Sequence, residues 1–383
     1  MDFKENYSVR RISSYGSNFF FGYYDLPAFN KSSRYHLCHN PGFIDRLHNE
    51  KDSCDIGIID LKTYEYIKID ETYAWNFQQG SMLQWNPQNP EEEIIYNCVN
   101  NGKYCSVVRN IKTKDKRILP LPVANVSKTG EIAVSINFSR LYDFRPGYGY
   151  AYLKDEFFND PIPENDGIYL MDMISGNFKL ILSMKDIAKF LKENSKFFVE
   201  NEKLLINHIT LNPTGTRIVA LVRNFRTGPK STWKTFVMTC DTSGKNLSLI
   251  NKDNTLASHY YWKDDIHILF FSGGPYGNNL YIINDKTDEH IPVNIKYFDF
   301  DGHCSYSNDK NIILYDSYPQ KNYRKLFFYN VKEDKLLTLN SFYSIPEITG
   351  DFRCDLHPRW NSDNSMISID SVHEGFRGIY VIE

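Results

Sequence analysis

The sequence predicts an all-β fold, a seven-bladed β-propeller of four-stranded blades. Three observations carry this. A short motif recurs along the chain: an aromatic or apolar residue, a polar turn, then an alternating β-branched run. Second strand pairs follow most copies at a spacing that suits one blade. Only one segment carries helical periodicity.

The motif stands at QWNPQNPEEEIIYN from residue 84, NVSKTGEIAVSIN from 125 and TLNPTGTRIVALV from 210. It returns at YWKDDIHILFF from 261, YSNDKNIILYD from 306 and RWNSDNSMISID from 359. Asn, Asp, Gly, Lys and Ser tolerate positive φ in the turn, and the run after it buries one face, which is a hairpin signature. GIYLMDMISGNFKLIL, TFVMTCDTSGKNLSLI, NLYIINDKTDEHIPV and KLFFYNVKEDKLLTL supply the second strand pairs. A unit is thus about four strands in roughly 40–60 residues, the size of a propeller blade. Seven units start near Asn18, Ala74, Val123, Ile206, Ala257, Gly302 and Cys354. The last runs out of chain after GIYVIE, so the strand around YSVRRIS is expected to close the ring. MKDIAKFLKENSKFF, residues 184–198, reads as one inserted surface helix. No Gly/Ser/Pro-rich linker divides residues 1–383, which predicts a single domain.

Composition narrows the function classes. Aromatics are 15% and charged residues 24%, a globular composition with ample core material. A net charge of −3 offers no broad basic surface for nucleic acid. No run approaches the length of a membrane span, and no secretory signal region opens the chain. Seven cysteines without a CxxC pair predict a reducing, cytoplasmic setting with no disulfide framework. GxSxG, P-loop and HExxH motifs are absent.

Aligning the repeats on the residue before the polar turn puts His208, His259, His303 and His357 in one register position. Blade two has Met82 there and blade three Val123. The first strand of a propeller blade lines the central channel, so these four are expected to converge. Histidine is both a metal ligand and a near-neutral acid or base. The alternative is a repeated structural residue that bonds the neighbouring turn. Asp355 lies two residues before His357, on the same face of an extended segment. Gln78 and Gln79 lie near the matching height of blade two. The other six histidines read as structural.

A second cluster lies in SINFSRLYDFRPGYGYAYL, residues 135–153, with Arg140, Arg145, Tyr142, Tyr148 and Tyr150. Pro146, Gly147 and Gly149 predict a long loop leaving blade three, and such loops often carry function. Arg223 and Arg226 leave blade four in the same way. Arginine forks bind carboxylates, and tyrosines pack on sugar rings. The alternative is a packed surface loop with cation–π contacts. GYYD, residues 22–25, is a further aromatic-acidic rim candidate.

The repeats, the histidines at inner strand starts of the late blades, and the terminal His357-Pro358 before an aromatic-polar turn resemble the TolB-like propellers, the oligogalacturonate lyases in particular. FGYYD and FSRLYDFRPGYGY also resemble segments of propeller proteins encoded with surface-polysaccharide genes. The resemblance implies a lyase acting on an acidic oligosaccharide or polysaccharide by β-elimination at a uronic acid. It implies a divalent cation, manganese or calcium, on His303, His357 and Asp355, with His208 as a further candidate. His259 is then the base, with Tyr148 or Tyr150 as alternatives, and Arg140, Arg145 or Arg223 clamps the carboxylate. This chain has Asp355 where the family has a second histidine, and Phe352 and Arg353 where a glutamine ligand is expected. The competing readings are a non-catalytic glycan- or protein-binding propeller of surface-polysaccharide biosynthesis, and a glycosyl hydrolase or transferase. Hydrolysis usually needs two paired carboxylates, which the register positions do not offer.

Overall fold

A computed structural model describes residues 7–226, 232–287 and 289–383. It is an all-β, seven-bladed propeller, with two α-helices among the described residues. Six sheets have four strands and one has three. Within the interior sheets the spatial order follows the chain, and every pairing is antiparallel. The polar turns sit between the first and second strands, as the repeat requires.

The chain divides into two compact units. One comprises the chain up to Ile118, Pro146–Tyr152 and Gly302–Glu383. It holds blades one, two, six and seven. In blade seven the strand Val9–Arg11 pairs with Gly378–Ile382 in the register Val9↔Ile382, Arg11↔Tyr380. The N-terminal strand therefore closes that blade, as the sequence predicts. Blade one is the three-stranded sheet, Tyr35–Asn40, Cys54–Asp60 and Tyr66–Thr72. Its inner position is taken by an irregular segment that joins the sheet through the isolated bridges Phe20↔His39 and Phe29↔His36. The core of this unit lies between successive sheets. Leu314, Leu326 and Phe328 of blade six pack with Ile367, Ile369 and Tyr380 of blade seven. Each side chain of this size stabilises the fold by roughly 1.5–3 kcal/mol when fully buried.

The second unit comprises Leu119–Arg145 and Leu153–Asp301 and holds blades three, four and five. Its core pairs Val219, Leu221 and Val237 of blade four with Tyr260, Phe270 and Ile283 of blade five. The inserted helix runs over Met184–Asn194, four residues shorter than the periodicity suggests. Ser183 and Asp186 form a capping box at its start, and it ends at Ser195, which is extended. The predicted long loop lies within blade three, between its strands Ile132–Ser135 and Gly167–Asp172, and opens with a second helix, Phe138–Phe144. Asn137 caps it by accepting from the Arg140 backbone N–H.

Two of the histidines read as structural are explained by blade one. His39 accepts from the Ser81 backbone N–H at 3.0 Å, so its other nitrogen donates to the Phe21 carbonyl at 2.7 Å. Burial pushes His36 and His39 down to about 3 each, so both stay neutral.

Candidate functional site

The first unit gathers His303, Asp355 and His357. One ligand atom from each lies within 4.8 Å of the others, and all three residues are buried. His303 stands just ahead of the inner strand Cys304–Tyr306 of blade six. Its backbone N–H donates to Asp316 at 2.7 Å, and its Nδ1 lies 3.0 Å from both carboxylate oxygens of Asp316. A carboxylate accepts, so Nδ1 carries the proton and Nε2 is the lone-pair nitrogen. This is the carboxylate–imidazole arrangement that orients metal-bound histidines.

His357 has φ +43°, a left-handed conformation that a non-glycine residue seldom adopts. It precedes Pro358, which already disfavours the ordinary helical region. Met82, in the aligned position of blade two, is also left-handed at φ +55°. Strain of this kind persists where surrounding structure imposes it. It turns the His357 ring onto that of His303, with centroids 4.3 Å apart and edge to face. Tyr23 and Tyr24 of the GYYD segment close over both rings at 5.1–6.5 Å.

Asp355 is fully buried and paired with two arginines, Arg324 at 2.7 Å and Arg353 at 2.8 Å. Both guanidiniums lie over the Tyr318 ring. Arg353 also donates to the Tyr148 hydroxyl at 2.8 Å. Two imidazoles and a carboxylate suit a borderline divalent ion such as manganese or zinc. The two guanidiniums neutralise the same carboxylate and repel a dication, so the donor set fits such an ion while its affinity is held down.

The loop Pro146–Tyr152 belongs to the same unit. A Cβ on Gly147 would strike the Asp351 carbonyl, so only glycine lets the loop approach this closely. Gln78 donates to the Asp351 and Arg353 carbonyls, and Arg377 to those of Phe352 and Arg353. Both side chains thus brace the segment that leads to Asp355. Tyr150 is buried and accepts from Asn97 at 2.8 Å. Burial pushes its phenol well above the ordinary range, which opposes a role as base.

The second unit carries His208 and His259, both buried. Each sits at a register shift of its inner strand, between Ile206 and His208 in blade four and between Ala257 and Tyr260 in blade five. Such bulges re-aim side chains. His259 Nδ1 lies 3.0 Å from Asp301, and Ser258 donates to the same carboxylate at 2.6 Å. Asp301 thereby fixes the tautomer and aim of His259, the arrangement of an oriented base.

The arginines of this unit divide. Arg140 is buried, and its guanidinium donates to Asp155 and to the carbonyls of Leu204, Phe157, Asp160 and Pro161. A guanidinium has five N–H donors, so this set leaves no donor for a substrate carboxylate. Arg145 and Arg223 instead flank the ring of Trp233, at 5.3 and 5.7 Å from its centroid. Trp233 is 48% exposed.

Sequence reasoning missed Asp316, Arg324, Asp301 and Trp233, and it placed Arg353 at a ligand position without its pairing to Asp355. Asp301 stands two residues before His303, where alternation gives no hint that it serves His259. Asp316 closes the second strand of blade six and meets His303 only through the cross-strand pairing.

No family model matches the chain, and no curated protein matches it in sequence. Solved structures do match. An oligogalacturonate lyase from Vibrio parahaemolyticus is 13% identical with a TM-score of 0.63, over 98% of this chain and 93% of that one. An oligogalacturonate lyase in complex with manganese is 13% identical with a TM-score of 0.68, over 98% and 92%. Tricorn protease gives a TM-score of 0.55 at 11% identity, over all of this chain and 34% of that one. At these identities the likeness concerns the fold. No helix among the described residues is long and apolar enough to cross a membrane.

Proposed function

We propose that the protein is a lyase that cleaves a uronic-acid-containing oligosaccharide by β-elimination. The observation that carries this reading is the buried trio His303, Asp355 and His357, with His303 oriented by Asp316. His303 and His357 would hold a divalent cation, with Asp355 as the third ligand. Bound there, the cation supplies Lewis-acid stabilisation of carboxylate charge. The chain's own residues do the rest. His259, oriented by Asp301, takes the C5 proton onto Nε2. The C5–H electrons form the C4–C5 double bond, and the C4–O bond breaks with its electrons going to the leaving oxygen. Arg145 or Arg223 pairs with the C6 carboxylate, which makes the C5 proton more acidic. Similarity to a lyase solved with manganese supports the choice of cation and substrate class.

The test is ultraviolet absorbance of the unsaturated product from 4-linked uronate oligosaccharides with added Mn²⁺. His259→Ala is expected to lose about 10²–10⁴-fold in turnover, the usual contribution of a general base. Full activity in that variant would remove His259 from the mechanism. A second reading, a non-catalytic glycan-binding propeller, is favoured by the double arginine neutralisation of Asp355. It predicts oligosaccharide binding with no absorbance change.

A further inference from the structure

Blade two carries a pair of thiols that the candidate site does not use. Cys98 and Cys105 face each other across the hairpin strands Glu93–Asn100 and Lys103–Asn110. Their Sγ atoms are 3.2 Å apart. A two-residue turn fixes this register, with Asn101 at φ +48° and Gly102 at φ +70°. Directly opposed antiparallel residues have Cα atoms about 4.5–5.5 Å apart, inside the window a disulfide spans. The sulfurs need to close only to about 2.0 Å, which side-chain rotation achieves without moving the backbone. All seven cysteines are free thiols, and Cys98 is the partly exposed member of this pair.

We infer that Cys98 and Cys105 are a redox modification site that forms a reversible cross-strand disulfide with a small-molecule disulfide as oxidant. The partly exposed Cys98, as its thiolate, attacks one sulfur of that oxidant and releases the first small thiol. Cys105 then attacks the Cys98 side of the mixed disulfide and releases the second. Two protein thiols are oxidised and one small disulfide is reduced to two thiols, so atoms, protons and electrons balance. The hydrogen bond the two thiols share holds Cys98 above and Cys105 below the ordinary thiol range, so Cys105 is the readier thiolate of the pair and Cys98 the more accessible one.

The pair is wired to the loop Pro146–Tyr152. Asn97 donates to the Tyr150 hydroxyl at 2.8 Å, and the Tyr104 ring packs on Tyr150 at 5.3 Å. These are the chain neighbours of Cys98 and Cys105. Two residues before Tyr150, Tyr148 accepts from Arg353, which pairs with Asp355. A crosslink changes the side-chain packing at Cys98 and Cys105, next to both contacts with Tyr150.

The experiment treats the full chain with oxidised glutathione and counts thiols by denaturing alkylation and intact mass. The reduced protein has seven thiols. Oxidation is expected to leave two fewer, with a mass loss of about 2 Da, a linked peptide joining Cys98 and Cys105, and reversal by dithiothreitol. Cys98→Ser and Cys105→Ser should each abolish the loss. Hydrogen exchange is expected to change within residues 146–152 of the oxidised protein and to stay constant in the outer strand of blade six. Retention of all seven thiols, a stable mixed disulfide on Cys98, or a bridge to another cysteine would overturn the site. Unchanged exchange in residues 146–152 would overturn the coupling.

Discussion

Replacing Asp355 by Asn separates two roles that one buried carboxylate can serve. Its side chain is wholly excluded from solvent, with Arg324 and Arg353 at 2.7 and 2.8 Å. Asparagine keeps the volume and one acceptor oxygen but removes the charge, leaving two buried guanidiniums without it. Removing one partner of a buried pair costs about 3–5 kcal/mol, because the remaining charge is uncompensated. Unfolding entropy is about 2.1 cal/mol/K per residue, or roughly 0.8 kcal/mol/K for this chain of 383 residues. The expected drop in Tm is therefore about 4–6 °C.

The assay is thermal and urea unfolding of wild type and Asp355→Asn, each with chelator and with Mn²⁺. The ion pairs are internal, so the loss should appear in full with chelator present. Added Mn²⁺ should then stabilise wild type further, by about 2.7 kcal/mol at a hundredfold excess over Kd, and the variant less. Arg324→Met in the Asp355→Asn background should cost less than the sum of the two single changes, since both remove the same pair. If the variant equals wild type in chelator and differs only with Mn²⁺, Asp355 is a ligand first and the counter-ion reasoning fails.

Three further outcomes follow from buried groups. His36 and His39 are held at about 3, below the ordinary 6.5, so the unfolded chain binds more protons between these values. Stability present above pH 6.5 should therefore fall on acidification by up to roughly 1.4 kcal/mol per pH unit for each histidine, and urea midpoints from pH 7 to 4 check this. Asp25 runs the other way: burial raises its carboxyl to about 7 from 3.8, and its Oδ1 has no hydrogen-bond partner among the described residues. Its stabilising protonated form is lost as pH rises through 7, so Asp25→Asn should raise the urea midpoint at pH 8 and change it little at pH 4. Arg140→Met should destabilise by about 3–5 kcal/mol in urea unfolding, because Asp155 and four carbonyls lose their donor together.

What the sequence shows about this molecule follows the range of the interaction concerned. The blades were legible because a hairpin is local: turn residues and period-two alternation lie within a dozen positions. Blade one lost its inner strand because FFFGYYD gives up ladder bonds to other partners. Phe21 and Gly22 donate backbone N–H groups to Asp370, 348 and more positions away. Register aligned His303 with His357, and the two rings do meet, since equal positions on successive blades of one unit stand side by side. Register is blind to what each side chain is bonded to. Arg140 and Arg223 read alike in sequence, yet one spends its donors on its own unit's backbone and the other lies against an exposed tryptophan. Asp355 read as a ligand because it shares a face with His357, while the arginines that pair with it come from Arg324, in a different blade, and from Arg353, two residues upstream. Charge pairing across blades is the step that spacing cannot supply. At Asp355 it ties a carboxylate that stands beside two histidines into the fold through two arginines.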